Sequence, residues 1–279
     1  MLKWCTYCQH YMGEKQPYES LELTHGICDA CCSEGRHKDI SHIRALQPIA
    51  AFHQDLRDKA VDGADISIPD VITASKSLGI SSVDMAIGIL QPILNEMGRL
   101  FLAGKVTVAK EHAFTQKVES MISDLFAMTP AMKNCQGQKP LVILSCVDGN
   151  YHWLGLRLLE LSLLEEGIPV RAFVPSLPRD EIIQLAVDMR PLVLGLSVYD
   201  RQQCHEAWLI REGIQRRTEG AYVPHVAVGG HGAKEFLEAK GVDQLIERDI
   251  GYFRQSLDFV AYLKNFLTER DPCEDEASA

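Results

Sequence analysis

The stretch Pro140–Gly155, PLVILSCVDGNYHWLG, decides how the C-terminal half of the chain folds. Its apolar run, PLVILS, is typical of a buried parallel strand, which should end in a turn followed by a helix. The turn contains His152, and the helical pattern LRLLELSLLEEG follows it. A lone histidine at such a turn is most often a cap or a surface residue. The rest of the chain therefore has to decide whether His152 has a binding role.

Strand and helix patterns alternate from Leu141 onward. Strands are predicted at LVILSC, VRAFV, LVLGLSV and HVAVGG, with a weaker fifth at VDQLI, and the last helical segment is GYFRQSLDFVAYLKNFLTE. This alternation predicts an α/β fold, a doubly wound five-stranded parallel sheet. Ligands bind such sheets outside the carboxyl ends of the strands. Three polar or glycine-rich turns fall there, Asn150–Gly155, Ser197–Asp200 and Gly229–Gly232, so His152 belongs to a predicted binding edge.

The middle of the chain, from about Ile40 to Met128, has helical periodicity and few strand signals. Four helices with short connections are predicted, which favours a four-helix bundle. Ser41 and Ser82 are the predicted N-caps of the first and third helices, and Pro92 predicts a kink in the third. The linker TPAMKNCQGQKP separates these helices from the α/β segment.

Two CxxC pairs lie near the N-terminus and predict a zinc-ribbon-like module. The four predicted ligands are Cys5, Cys8, Cys28 and Cys31. Four thiolates of this spacing suit tetrahedral zinc, iron in the same cage is the alternative, and four unrelated thiols are the other interpretation. Cys32, His10 and His25 rank below the four cysteines. We expect the metal to contribute to the fold of this segment alone.

The composition of the chain excludes several classes of function. Nine cysteines without a signal-peptide pattern favour a reducing compartment, so we expect a cytoplasmic protein with thiols or metal ligands rather than disulfides. No apolar run reaches the length of about 18 residues that a membrane helix needs. The net charge of −10 argues against binding to anionic membranes, and residues 1–40 hold four Lys or Arg against six Asp or Glu. Direct DNA binding is therefore not expected.

The three turns at the binding edge resemble the motifs of cobalamin-binding domains of the methionine-synthase type. Asn150, His152 and Gly155 stand in the D-x-H-x-x-G motif, with Asn in place of Asp. Ser197-Val198-Tyr199 stands where that family carries S-x-L, and Gly229-Gly230 stands where it carries a G-G pair. With the helical cap that precedes them, the resemblance covers roughly residues 40–268.

The resemblance implies a role for each of these residues. His152 would displace the dimethylbenzimidazole tail and coordinate cobalt from below, with Asn150 orienting its imidazole. Because Asn carries no charge, the imidazole should be a weaker electron donor than it is beside Asp. Ser197 would hydrogen-bond the displaced tail, and the Gly229-Gly230 pair would admit it without side-chain clash. Tyr199 in place of Leu would shorten or polarise the tail tunnel.

The segment FLAGKVTVAKEH resembles the W-x9-E-H signature of cobalamin-dependent photoreceptors, whose Trp, Glu and His face the upper axial group. Glu111 and His112 match this signature, and Phe101 replaces the Trp. The alternative is a Glu-His pair on a solvated helix face. The N-terminal cysteine segment, with HGIC as its most specific part, resembles small modules appended to bacterial sensor proteins.

Four segments follow from these patterns. They are a zinc-ribbon-like four-cysteine module at 1–39, a helical bundle capping the corrin upper face at 40–130, a cobalamin-binding α/β domain at 139–269, and an acidic tail at 270–279.

The resemblance implies a cytoplasmic sensor of adenosylcobalamin or methylcobalamin in signal transduction and transcription regulation. It would respond to light through cobalt–carbon photolysis and signal through a protein partner or a change of homo-oligomer. One alternative is an enzyme component, a corrinoid methyl carrier of a methyltransferase system. Another is a related heme sensor with His152 as a ligand.

Overall fold

The computed structural model describes residues 1–130 and 137–269. The expected acidic tail at 270–279 and the centre of the predicted linker lie outside these residues. The chain forms two compact units, one made of Met1–Gln138 with Leu154–Ile168 and the other of Lys139–Trp153 with Pro169–Ala279.

The first unit begins with a three-stranded sheet in the order β2-β1-β3, in which β1 is antiparallel to β2 and parallel to β3. The strands are β1 Leu2–Cys5, β2 Tyr11–Glu14 and β3 Leu23–Gly26, and the short helix α1 covers Asp29–Ser33. Trp4 is fully buried and Tyr11 is buried. This small sheet therefore has a packed apolar face of its own.

Longer helices complete the first unit. They are α2 Gln47–Asp62, α3 Ile68–Ser77, α4 Gln91–Leu102, α5 Val108–Met128 and α6 Leu154–Glu165. A π-helical segment, Asp84–Leu90, leads directly into α4, and all seven of its residues are buried. The four helices predicted between residues 40 and 128 are thus present. None of the described helices is both long enough and apolar enough to cross a bilayer.

The predicted N-cap residues of two helices are wrong. Helix α2 begins at Gln47 rather than near Ser41, with Pro48 in its first turn, where a proline loses no hydrogen bond. The third predicted helix is capped by Ser81 rather than Ser82. The Ser81 Oγ accepts the Asp84 N–H at 3.0 Å and donates to Asp84 Oδ2 at 2.7 Å.

The second unit contains a six-stranded sheet in the order β5-β4-β6-β7-β9-β8. Its strands are β4 Val142–Cys146, β5 Val170–Phe173, β6 Val193–Ser197, β7 His225–Gly229, β8 Gln244–Glu247 and β9 Ile250–Phe253. Its helices are α7 Arg179–Met189, α8 Cys204–Arg217, α9 His231–Lys240 and α10 Ser256–Thr268. Five strands are parallel and β8 is antiparallel, so the predicted fold class is confirmed.

The fifth parallel strand is not the predicted one. It is β9, the segment IGYF, which the sequence pattern assigned mainly to the last helix, whereas the predicted strand VDQLI overlaps the antiparallel edge strand β8. Every residue of β9 is buried and β8 is mostly exposed, as expected of an inner and an edge strand. Arg248 and Asp249, both at positive φ, form the tight turn that joins the two strands.

Candidate functional site

The carboxyl ends of three neighbouring strands in the second unit bring the predicted turns together. In the sheet register, Cys146 of β4 pairs with Ser197 of β6, which in turn pairs with Gly229 of β7. The turns that follow these strands therefore begin at the same edge of the sheet, as the sequence pattern indicated.

Asn150 is the central hydrogen-bonding group of this edge and is only 1% exposed. Its Nδ2 donates to the Ser197 backbone oxygen at 2.9 Å and to Ser197 Oγ at 3.2 Å. Its Oδ1 accepts the His152 backbone N–H at 3.0 Å. An ionised aspartate has no hydrogen to donate, so the amide gives this chain a link between the β4 and β6 turns that Asp would lack.

His152 is exposed at the same edge and is in contact with Tyr199. The two rings are stacked, with centroids 4.2 Å apart and planes inclined by 11°. A second ring neighbour of Tyr199 is His231, whose ring centroid lies 6.0 Å away at an inclination of 28°. Tyr199, expected beside a cofactor tail, therefore contacts the rings of two histidines.

The two glycines after β7 differ in what the chain requires of them. A Cβ added to Gly230 would lie 2.4 Å from the Val198 backbone oxygen, and the φ of Gly230 is +99°, so the fold itself needs glycine there. At Gly229 no heavy atom of the described chain, apart from the two neighbouring residues, lies within 4 Å of such a Cβ. Gly229 therefore borders open space, and the fold itself does not require glycine there.

Cys146 is the thiol nearest to this edge along β4. Burial raises its pKa to about 12, although the hydroxyl of Ser197 acts in the opposite direction. A thiol with this pKa stays protonated at neutral pH and is a poor metal ligand. The exposed imidazoles of His152 and His231 are better placed than this buried thiol to ligate a metal at the edge.

Sequence reasoning missed two residues of this edge, Gln203 and His231. The Gln203 Oε1 accepts the Tyr199 N–H at 2.7 Å, and its Nε2 donates to the Asp148 backbone oxygen at 3.3 Å. His231 follows the glycine pair directly, and that position in GGHG was an available signal. Nothing in the sequence around Gln203 indicated its role.

The residues predicted for the upper face lie in the first unit. Phe101 is in the last turn of α4 and is 42% exposed. Glu111 and His112 are in the first turns of α5, where Glu111 Oε2 lies 2.5 Å from His112 Nδ1. The other Glu111 oxygen accepts a hydrogen bond from the Thr115 hydroxyl at 2.9 Å. Gly155, the last residue of the first motif, lies in the first turn of α6.

The four cysteines of the CxxC pairs form a compact cluster. The Sγ atoms of Cys5, Cys8, Cys28 and Cys31 all lie within 4.8 Å of one another. Tetrahedral zinc with Zn–S bonds of about 2.3 Å needs sulfur atoms about 3.8 Å apart. The Cys8–Cys28 separation of 3.6 Å fits this value. The lower-ranked candidates do not belong to the cluster in the described part of the chain. They are Cys32, His10 and His25.

The backbone around the cluster favours a thiolate at Cys5. Burial raises the pKa of this thiol, but backbone N–H groups at Cys8, Cys28 and Tyr7, together with the Cys8 thiol, outweigh burial and lower its pKa to about 6. By contrast, burial raises the pKa values of Cys8 and Cys31. The Cys28 N–H, for example, points at Cys5 Sγ from 3.5 Å. Deprotonated sulfur is the form that binds metal.

The cysteine module is joined to the π-helical segment by a buried carboxylate. Asp84 is 4% exposed, its Oδ1 accepts the Tyr11 N–H at 2.9 Å and lies 2.8 Å from His10 Nδ1. The hydrogen bond to Asp84 raises the pKa of His10. A Cβ on Gly88 would lie 2.8 Å from the Tyr11 ring and 2.9 Å from the Trp4 ring. Because of this packing, we expect a metal in the module to support the π-helical segment as well as residues 1–39.

These features define a doubly wound α/β unit with a binding edge built from three sequence motifs, and a helical unit carrying a four-cysteine cluster. In fold, the chain is similar to a monomethylamine corrinoid protein of Methanosarcina barkeri, with a TM-score of 0.58 and 14% identity over 80% of this chain and 100% of that one. At this identity the likeness shows a common fold.

In sequence, the chain is 30% identical over 153 residues to the HTH-type transcriptional repressor CarA of Myxococcus xanthus, and 28% identical over 109 residues to CarH of the same organism. These matches cover 54% and 39% of this chain and 49% and 35% of the relatives, so the chain spans about half of their length or less. No family model matches the chain. The predicted resemblance to a cobalamin-binding domain family is confirmed at the level of fold and sequence similarity.

Proposed function

We propose that the chain binds cobalamin at the carboxyl edge of its sheet and acts as a sensor in the regulation of transcription. The observation that carries this proposal is the arrangement of Asn150 and His152. A buried amide fixes the backbone from which an exposed imidazole projects, beside the Ser197 hydroxyl. The fold it has in common with a corrinoid protein and the similarity to two transcriptional repressors support the same function.

The residues present at the edge fit a cobalamin whose dimethylbenzimidazole tail has been displaced from cobalt. His152 would hold cobalt from below, since neutral imidazole is a good ligand for such ions. The open space at Gly229 would admit the displaced tail without side-chain clash, with Ser197 as its hydrogen-bonding partner. Phe101, Glu111 and His112, all in the first unit, are proposed as further residues that would contact cobalamin.

Bound adenosylcobalamin or methylcobalamin supplies a cobalt–carbon bond that light breaks. The signal requires contacts that differ between the dark and lit states, because a ligand shifts an equilibrium only by its differential affinity. Glu111 can hold His112 through its carboxylate and can release it, so this pair is where we propose such a difference arises. The output would be contact with a protein partner or a change of homo-oligomer.

We also propose that the four-cysteine cluster binds one zinc ion per chain, with iron as the alternative. Its role would be structural, because all four positions of a tetrahedral site are then filled by sulfur and no open position remains for chemistry. The expected result of elemental analysis is about one equivalent of metal, whereas less than about half an equivalent with four titratable thiols would contradict it.

One observation favours a second function, a corrinoid methyl carrier of a methyltransferase system. The similarity in fold covers 100% of the Methanosarcina barkeri monomethylamine corrinoid protein. The cysteine cluster and the similarity to the repressors favour the sensor. The carrier would instead have to pass a methyl group to an acceptor through a partner enzyme.

The deciding experiment is spectroscopy of the protein loaded with cobalamin in the dark. Electron spin resonance of the cobalt(II) form in protein labelled with nitrogen-15 histidine should show coupling to an imidazole nitrogen. His152→Ala should lose this coupling and bind cobalamin about 10-fold or more weakly, since a removed metal ligand costs more than a removed orienting group. His205→Ala, an exposed histidine on α8, is the matched control and should behave like wild type.

Three outcomes would overturn parts of the proposal. Coupling to the dimethylbenzimidazole nitrogen would reject ligation by His152. Identical spectra and elution volumes before and after illumination of the alkyl-loaded protein would reject the light response. Methyl transfer at about 1 per second or faster with a cognate methyltransferase would put the carrier first.

A further inference from the structure

We infer that Tyr199 is a positioning residue for His152, holding the plane of its imidazole ring for metal ligation. This inference rests on the proposed function, because it assigns a task toward cobalt. It also explains a departure from the family motif, which has Leu where this chain has Tyr199.

The contact between the two rings is a face-to-face stack. Their centroids are 4.2 Å apart and their planes are inclined by only 11°. The other ring pairs among the described residues of this unit have larger inclinations, from 25° for Tyr262–Phe266 to 62° for Phe253–Phe259. A flat stack fixes the ring plane of His152, whereas a tilted contact or a branched aliphatic side chain leaves the ring free to rotate.

Tyr199 is itself held in place. Its backbone N–H donates to Gln203 Oε1 at 2.7 Å, and the Gln203 Nε2 reaches the Asp148 backbone oxygen at 3.3 Å. The Gln203 backbone N–H is in turn capped by Asp200 Oδ1 at 2.9 Å. A side chain at the start of α8 therefore ties the β6 turn to the β4 turn, and the backbone under the tyrosine ring is fixed relative to the turn that carries His152.

The imidazole is thus constrained at two points. Asn150 fixes the backbone through its 3.0 Å hydrogen bond, and Tyr199 fixes the ring through the stack. Binding gains affinity when a ligating group is ordered before the ligand arrives, because less conformational entropy is lost. An aromatic pair contributes between about 2-fold and about 10-fold to an equilibrium constant. We therefore expect loss of the ring to weaken cobalamin binding by about that factor.

The test compares three variants of the full chain. Tyr199→Leu restores the family residue and removes the ring face, and Tyr199→Phe keeps the face without the hydroxyl. Tyr151→Leu is the matched control, an exposed tyrosine one residue before His152. The first measurement is the NMR shift of the His152 ring protons in cofactor-free protein, assigned with His152→Ala. Ring current should shift them upfield in wild type, Tyr199→Phe and Tyr151→Leu, and the shift should vanish in Tyr199→Leu.

The second measurement is cobalamin affinity with the nitrogen-15 coupling to cobalt(II). Tyr199→Leu should bind more weakly by the stated factor and show a broader or smaller coupling, and Tyr199→Phe should match wild type. Wild-type affinity and coupling in Tyr199→Leu would overturn the inference and leave the proposed function intact. If Tyr199→Phe lost as much cobalamin affinity as Tyr199→Leu, the ring stack would not be the cause of the loss, and the inference would be overturned. Failure of wild type to bind cobalamin would overturn the proposed function, and the role of Tyr199 with it.

Discussion

Asn150 departs from the motif that this chain resembles, and the structure gives a reason for the departure. The sequence indicated only that an uncharged amide stood where the family has a carboxylate. The structure shows both functions of the amide in use, its Nδ2 toward Ser197 and its Oδ1 toward the backbone of His152. The hydrogen-bond partners of an amide side chain depend on how far apart the two turns lie after folding. Sequence spacing does not give that distance.

This geometry predicts the effect of restoring the family residue. In Asn150→Asp the carboxylate would face the Ser197 backbone oxygen without a hydrogen to donate, at a position only 1% exposed. Leaving buried polar groups unpaired costs about 1–3 kcal/mol, so the free energy of unfolding of the second unit should fall by that amount at pH 7. Urea unfolding followed by circular dichroism measures it.

Asp148→Asn is the control, because Asp148 is an exposed residue of the same turn. It should change the free energy of unfolding by less than about 0.5 kcal/mol. An Asn150→Asp protein as stable as wild type would show that the turn can rearrange to accept a carboxylate.

At the scale of elements, the sequence predicts best where a buried strand is rich in aliphatic residues. Strands β4 and β6 are buried throughout, and their continuous apolar runs were assigned correctly. Strand β9 is short and contains Gly251 and two aromatic residues, so its pattern was absorbed into the helix that follows. The π-helical segment could not be predicted, because its period differs too little from that of an α-helix over seven residues.

The π-helical segment leads to a prediction about Gly88. In Gly88→Ala the new methyl group would meet the Tyr11 and Trp4 rings at 2.8 and 2.9 Å. Overpacking of a buried site costs about 1–3 kcal/mol, so the first unit should lose that much stability. The measurement is urea unfolding followed by tryptophan fluorescence.

Gly98→Ala is the matched control on the adjoining helix α4. No heavy atom of the described chain lies within 4 Å of a Cβ at Gly98, and alanine is the better helix former by about 1 kcal/mol. This variant should be neutral or more stable than wild type. If Gly88→Ala behaved like Gly98→Ala, the two rings would not be packed against the segment as the structure shows.

At the scale of the whole molecule, the sequence indicated the order of the parts but not the contacts between the cysteine module and the helices. The change to helical periodicity near residue 40 suggested a boundary, yet Asp84 accepts hydrogen bonds across it and the Trp4 and Tyr11 rings cover Gly88. Contacts between residues more than seventy positions apart leave no periodic signal in one sequence. The binding edge could be predicted because its three motifs each follow a recognisable strand.

Removal of the metal should therefore affect more than the module. We expect a chelator to increase hydrogen exchange of the backbone amides at 84–90 by about 10-fold or more, because metal binding free energy is folding free energy for such modules. Peptides from strands β4 and β6 of the second unit serve as the internal reference and should not change. Exchange confined to residues 1–39 would mean that the metal supports its own segment only.

Two serine variants test the source of this effect. Cys31→Ser removes a buried sulfur of the cluster and should reproduce the effect of the chelator. Cys32→Ser changes the adjacent exposed cysteine and should retain about one equivalent of metal. Equal metal loss in both variants would contradict the assignment of the fourth ligand.

The packing of Trp4 and Tyr11 over Gly88 also limits how this protein could be rebuilt from interchangeable parts. An N-terminal segment taken from another protein would bring different rings to the same surface, and a shortened chain starting near residue 40 would expose the surface that two aromatic side chains now cover. Chimeras with a new N-terminus should fold only when the residues at 84 and 88 are exchanged together with it. Recombination across residue 40 is therefore constrained by two positions more than forty residues downstream.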